Sequence, residues 1–226
     1  MTIIEFIGSP GSGKSSICNR TMDHFEDMGL KVGNIHRDEI RKGAVSRKIL
    51  SAKSKFMPCT SSLRSAITEY TSKVPEYHGS VWERDLLNAA YKLSCPYVRA
   101  MDYAFFDEGP TQYVSAMMNG IPINDDILPL IDTINDSIYK CDVIAFFIQL
   151  DVDSIVERIS KRNRSGDIYL SDDVDDMRSR ITLKENNLRY LAEHLNYKEI
   201  HYIDNIELEN AALQVQTLIE AKKRKK

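Results

Sequence analysis

The stretch that most restricts the fold of this chain is its first sixteen residues, MTIIEFIGSPGSGKSS. An apolar, Ile-rich run, TIIEFI at 2–7, stops at Gly8, as a strand buried on both faces does. The next octet, Gly8-Ser9-Pro10-Gly11-Ser12-Gly13-Lys14-Ser15, fits the pattern GxxxxGK[ST] at every position. From Lys14 to about Met28 the apolar residues Ile17, Met22, Phe25 and Met28 follow a helical pattern, and Gly29 stands where a left-handed cap ends a helix. Leu30–Ile35 reads as a second strand, so strand, glycine loop, helix and strand form one βαβ unit.

The loop's chemistry follows from its residue types. Glycines let backbone N–H groups converge on phosphate oxygens without interference from Cβ atoms. The helix that follows presents the positive end of its dipole to the same anion. This assigns Lys14 to the β- and γ-phosphates of a nucleotide and the Ser15 hydroxyl to Mg²⁺, with Ser16 next in the first helical turn. A Gly/Ser-rich turn with no ligand is the competing interpretation, and it does not explain why both flanking elements are of the required kind.

The rest of the chain alternates in the same way. Residues 41–80 are rich in Lys, Arg and Ser and read as short helices and loops, the start of a helical insert over 41–101 on the acceptor side. A helix is expected over Val81–Met101, kinked or interrupted at Pro96. Strands follow at Tyr103–Phe106 and Val143–Leu150, and a helix capped by Asp151 or Asp153 runs through Arg162. After a polar stretch, Val174, Met177, Ile181, Leu188, Leu191 and Leu195 mark an amphipathic helix over 174–195. A fifth strand at 199–203 and a helix at 206–220 complete the order. The alternation predicts an α/β fold: one domain over 1–226 with a parallel sheet sandwiched between helices.

Composition removes several functional classes. A net charge of -3 gives no reason to expect nucleic acid as the main partner. Cys18, Cys59, Cys95 and Cys141 form no CxxC pair, which fits reduced thiols and a cytoplasmic location, and the five histidines show no zinc spacing. No leader is visible, and the longest apolar run, VIAFFI at 143–148, is too short to span a membrane. The basic tail 222–226 reads as a solvated helix end, and the Trp82 and Tyr side chains as packing residues.

Asp107 and Glu108 end the third strand, and a strand delivers such residues to the carboxyl edge of the sheet, where ligands bind. Asp107 suits a magnesium-organising carboxylate or a base. Glu108 suits acceptor binding or the polarisation of water. Asp38 and Glu39, after the second strand, lie at the same edge, Asp38 as a second candidate base. Arg158 and Arg162 are four residues apart on one helix face, and Arg164 follows. Arginines at the end of a helix that feeds a polar loop make a lid over 158–173 able to neutralise a phosphoryl group in transfer.

The order of elements, the phosphate loop and the segment LDVDSIVERISKRNRSGD, with its RxxxRxR ending, resemble the thymidylate kinase and deoxynucleoside kinase group of P-loop kinases. LLNAAYKLS at 86–94 is similar to that group's acceptor-pocket helix, and FFDEGPTQYVSAMMNG at 105–120 to its strand-end segment. The resemblance implies a three-layer fold with a five-stranded parallel sheet, ATP with Mg²⁺, a closing lid and transfer of the γ-phosphoryl group to a small acceptor, and it leaves room for a homodimer. It implies Gly8 to Ser15 on the ATP phosphates, Asn205 beside adenine, and Arg158, Arg162 and Arg164 on the transferring group. The group's Asp-Arg pair is Asp107-Glu108 here, its acceptor-helix arginine is replaced by Lys92, and its Arg-Glu-Pro by Arg37-Asp38-Glu39. A glutamate in place of an arginine repels a dianionic acceptor, so a neutral hydroxyl (a nucleoside, a sugar or another polyol) competes with a nucleotide. A P-loop ATPase or switch with a protein partner, and a module that binds ATP without turnover, are the alternatives outside kinases.

Overall fold

The structure is a computed structural model that describes residues 1–35, 52–54, 57–74, 81–118, 120–162 and 173–223. In chain order the elements are β1 (Thr2–Ile7), α1 (Lys14–Asp27), β2 (Val32–Asn34), α2 (Ser61–Thr71), α3 (Val81–Ser94), α4 (Pro96–Arg99), β3 (Tyr103–Phe106), α5 (Pro110–Met117), α6 (Leu128–Ser137), β4 (Val143–Gln149), α7 (Val152–Arg162), α8 (Val174–His194), β5 (Glu199–Asp204) and α9 (Leu208–Lys223). Arg37, Asp38, Glu39 and Arg164, with the polar part of the expected lid, lie outside the described residues.

All strand pairs are parallel, in the order β2-β3-β1-β4-β5. β1 is therefore central, and all six of its residues are buried. Because side chains alternate along a strand, Ile4 and Phe6 meet Ile17 and Phe25 of α1 and Ala211 and Val215 of α9. On the other face Ile3 joins the core built from α2, α3, α5 and α6, and Ile7 packs with Leu188 and Ala192 of α8. The sheet is thus covered on both sides, as continuous apolar strands require. Among the described residues no helix is long and apolar enough to cross a membrane.

Three local details refine the expectations. Pro96 starts a new helix rather than kinking an old one: Cys95 is extended at φ -75 and ψ 136, so α3 ends before it and α4 begins after it. Asp151, not Asp153, caps α7, accepting hydrogen bonds from Ser154 N at 2.8 Å and Ser154 Oγ at 2.6 Å. Asp153 pairs with Arg178 of α8 instead. Val174 is off the apolar stripe of α8 and 45% exposed.

One polar residue breaks the apolar pattern of β1. Glu5 is fully buried and shares the face of Ile3 and Ile7. Its Oε1 accepts from Thr111 N at 3.1 Å, and its Oε2 accepts from Tyr139 OH at 2.5 Å and Tyr197 OH at 3.1 Å. Burial pushes the Glu5 carboxyl above its ordinary pKa despite these donors. The contact needs Gly109 immediately before α5, since a Cβ there would lie 2.5 Å from Glu5 Oε1 and 2.7 Å from its Cδ. Gly109→Ala is accordingly expected to destabilise the fold by about 1–3 kcal/mol, read as a lowered midpoint in denaturant unfolding. An unchanged midpoint would show that the Glu5 carboxylate is not tightly held.

Candidate active site

Because every strand runs the same way, the segments after β1, β3, β4 and β5 meet at one edge of the sheet, the edge at which β2 ends at Asn34. The Gly8–Gly13 loop lies there and leads into α1. Gly13 is the cap residue of α1 at φ 93 and ψ 4, a left-handed conformation that favours glycine. No side chain caps α1, and its first turn holds no acidic residue. By contrast Asp173 caps α8, accepting from Asp175 N and Asp176 N. The free N–H groups of α1 therefore face the loop with their dipole uncompensated.

The walls of this loop fit a phosphate. A Cβ on Gly8 would come within 2.7 Å of both Ile148 O and Ser12 Oγ, and one on Gly13 would collide with Asn205 Nδ2. Ser12 Oγ and Asn205 Oδ1 are buried with no hydrogen-bond partner. Asn205 follows β5, where Asn205 N donates to Gln149 O at 2.9 Å and Asn205 Nδ2 donates to Ser12 O at 2.6 Å. Its side chain thus braces the phosphate loop itself. Pro10 and Gly11 are half-buried, Ser9 is buried, Ser15 is half-buried in the first turn of α1, and Ser16 is exposed.

The acidic pair of β3 is fixed to this loop. Asp107 is 3% exposed, and its Oδ1 accepts from Asn34 Nδ2, at the end of β2, at 3.1 Å. Gln112 Nε2 of α5 donates to Gly8 O at 2.7 Å, and Tyr113 OH donates to Glu108 O at 2.8 Å. Lys14 is nearly buried, and that burial pushes its pKa down. Glu108 and then Asp107 pull it back up, and Arg162 pushes it further down. Lys14, Asp107, Glu108 and Arg162 therefore share one electrostatic environment. Arg158, one turn earlier on α7, lies elsewhere: its Nη1 donates to Gly11 O and its Nη2 to Asn205 O, each at 3.4 Å. It borders the outer wall of the loop, whereas Arg162 answers to Lys14. Lys92 is 1% exposed, and its ammonium donates to Ile35 O, tying α3 to the end of β2.

One residue of this site escapes the sequence expectations. Lys184 of α8 is 7% exposed and faces Lys14 and Glu108. Burial first, then the Lys14 charge, lowers its pKa to about 7, and Glu108 opposes the shift. Its neighbour Glu185 faces Ser9, and burial raises the Glu185 carboxyl against the opposing pull of Arg189 and Ser9. The sequence does carry a signal. The apolar stripe of α8 steps from Ile181 to Leu188, and Lys184 fills the skipped interior position.

No family model and no curated protein matches the sequence. Solved structures do match the fold. Deoxyadenosine kinase from M. mycoides with products dcmp and a flexible dcdp bound aligns with a TM-score of 0.51 at 13% identity, over 97% of this chain and 99% of that one. The same kinase with bound dATP gives 0.50 at 13% identity over 97% and 100%. Shikimate kinase from Bacteroides thetaiotaomicron gives 0.50 at 12% identity over 97% and 98%. The chain shares its fold with these kinases, and in it a five-stranded parallel sheet lies between helical layers with the Gly8–Gly13 loop after the central strand.

Proposed function

We propose that the protein is a kinase that transfers the γ-phosphoryl group of Mg·ATP to a nucleoside or nucleotide. The observation that carries this is the shared environment of Lys14, Asp107, Glu108 and Arg162 beside an uncapped helix N-terminus. Gly8, Ser9, Pro10, Gly11, Ser12, Gly13, Lys14, Ser15 and Ser16 take the donor phosphates. Asn205 and Arg158 border them on the outer side of the loop. Ser15 and Asp107 are the residues that would hold Mg²⁺, which would supply positive charge against the donor phosphates.

The acceptor lies beside Asp107, Glu108 and Lys92, and Arg37 and Glu39 are further candidates to bind it. Its hydroxyl oxygen forms the new bond to phosphorus as the bond from phosphorus to the β-phosphate oxygen breaks, and ADP leaves. The hydroxyl proton passes to Asp107 or Asp38. Arg162, with Arg164 in the lid, neutralises charge on the group in transfer, and the rest of the rate enhancement is positioning. Two 13%-identical structures with deoxynucleotides bound support the choice of acceptor class only through the fold they share.

ADP formation from ATP in the presence of individual nucleosides and nucleoside monophosphates tests this directly. At least one acceptor should raise turnover well above the rate in water. Hydrolysis indifferent to every small acceptor, yet raised by a protein partner, would overturn the kinase assignment in favour of a switch. Lys14→Ala should abolish turnover, and retained activity would remove the donor site from Gly8–Ser15. Arg162→Ala should cut kcat on the order of 100-fold with a smaller loss of ATP affinity. The reverse pattern would make Arg162 a ground-state ligand.

A further inference from the structure

Lys184 occupies an interior position of α8 between Ile181 and Leu188, both fully buried, where an apolar side chain would complete the stripe. The two stripe residues that flank it pack around the glycine loop: Ile181 packs with Ile155 and Ile159 of α7, which lie against Gly11, and Leu188 packs with Ile7, the residue before Gly8. Among the described residues Lys184 has no hydrogen bond or ion pair, and its electrostatic neighbours are Lys14 of α1 and Glu108 of the turn between β3 and α5. Burying an ammonium against another ammonium costs stability, and nothing in the packing of α8 requires it. Arg162 also acts on Lys14 as a like charge, Glu108 acts on both lysines, and Asp107 acts on Lys14. The neighbouring Glu185 faces Ser9 and Arg189. Among the described residues, Arg162 and Lys184 are both like charges toward Lys14, the residue assigned above to the β- and γ-phosphates.

We propose that Lys184 is a further catalytic residue, a second ammonium that with Lys14 holds the phosphoryl group being transferred. The assignment rests on the donor site proposed above and extends it to a residue of α8. It makes a lysine that weakens the empty protein useful once a trianionic or tetra-anionic phosphate chain arrives. It also gives Glu108 a second role, since the same carboxylate faces both lysines.

The test is Lys184→Met, which completes the apolar stripe. Calorimetry measures Mg²⁺-dependent binding of ADP and of the non-hydrolysable β,γ-imido analogue of ATP. The wild type should prefer the triphosphate. The variant should lose roughly tenfold or more of that preference while its ADP affinity stays near the wild-type value. The variant should also melt higher. The folded-state pKa of Lys184, about 7, lies below its ordinary 10.5, so its stability contribution is present above pH 10.5 and lost as pH falls toward 7. Removing the lysine abolishes that loss, and the gain in melting temperature should be larger at pH 7 than at pH 10. A variant that keeps the wild-type preference overturns the assignment, as does one that melts lower or fails to fold. If the wild type phosphorylates an acceptor in that case, only the role of Lys184 falls. A wild type that binds neither nucleotide overturns the donor site as well.

Discussion

The arrangement of the site depends on a carboxylate sealed beneath it. Glu5 sits in the central strand, two residues before the strand's end at Ile7, and reaches the backbone of Thr111 in the first turn of α5. β1 carries the phosphate loop, and the turn before α5 carries Asp107 and Glu108. Holding Thr111 therefore sets the distance between the two halves of the chemistry. Tyr139 and Tyr197 supply the remaining donors from the connections that precede β4 and β5, so the carboxylate joins four parts of the chain separated by up to 192 residues. A buried carboxylate is tolerable only with such donors, and losing one leaves an acceptor unsatisfied at about 1–3 kcal/mol. Gln112 Nε2 on Gly8 O closes the same joint from the side of the loop.

Charge is concentrated at this joint in a way that stability alone would not select. Glu5, Lys14, Lys92, Asp107 and Lys184 are all less than a tenth exposed. Each has a different justification. Glu5 is surrounded by donors, Lys92 donates to Ile35 O, and Asp107 accepts from Asn34. Lys14 is offset in part by Glu108 and Asp107, yet burial still outweighs them. Lys184 is the extreme case, with a like charge as its stronger neighbour. Residues held against their intrinsic preference in this way mark places where selection acts on ligand chemistry rather than on the fold.

The sequence revealed what is local and hid what is not. β1, the glycine loop, α1 and β3 were legible almost to the residue, because apolar runs, glycines and a following helix are signals within ten or fifteen positions. The edge strand β2 was less so: it is shorter than Leu30–Ile35 suggests, because only Val32–Asn34 pair with β3, whereas the other edge, β5 at Glu199–Asp204, lies within a residue of its expected 199–203. Glu5 and Lys184 could not be assigned from the chain, since their partners lie about 106 to 192 and about 76 to 170 residues away. The i,i+4 spacing of Arg158 and Arg162 correctly put them on one face. It could not tell that one guanidinium would meet the loop carbonyls of Gly11 and Asn205 while the other acted on Lys14.

The placement of Lys184 changes the electrostatic case about the acceptor. Judged from the sequence, Glu108 in the place of an arginine turns the end of β3 negative and repels a phosphate-bearing acceptor. In the folded chain Glu108 acts on Lys14 and on Lys184 at once. A carboxylate coupled to two lysines belongs to a mixed cluster in which Asp107 and Arg162 also act on Lys14. Glu108 is not an isolated charge once α8 brings a cation of its own, and its repulsion of an anion is offset accordingly. On the proposed kinase assignment, what distinguishes a nucleoside from a nucleoside monophosphate is then where the acceptor's anion would sit relative to Lys184. That makes the choice between them a matter of one helix packed across the loop rather than of the residue that follows Asp107.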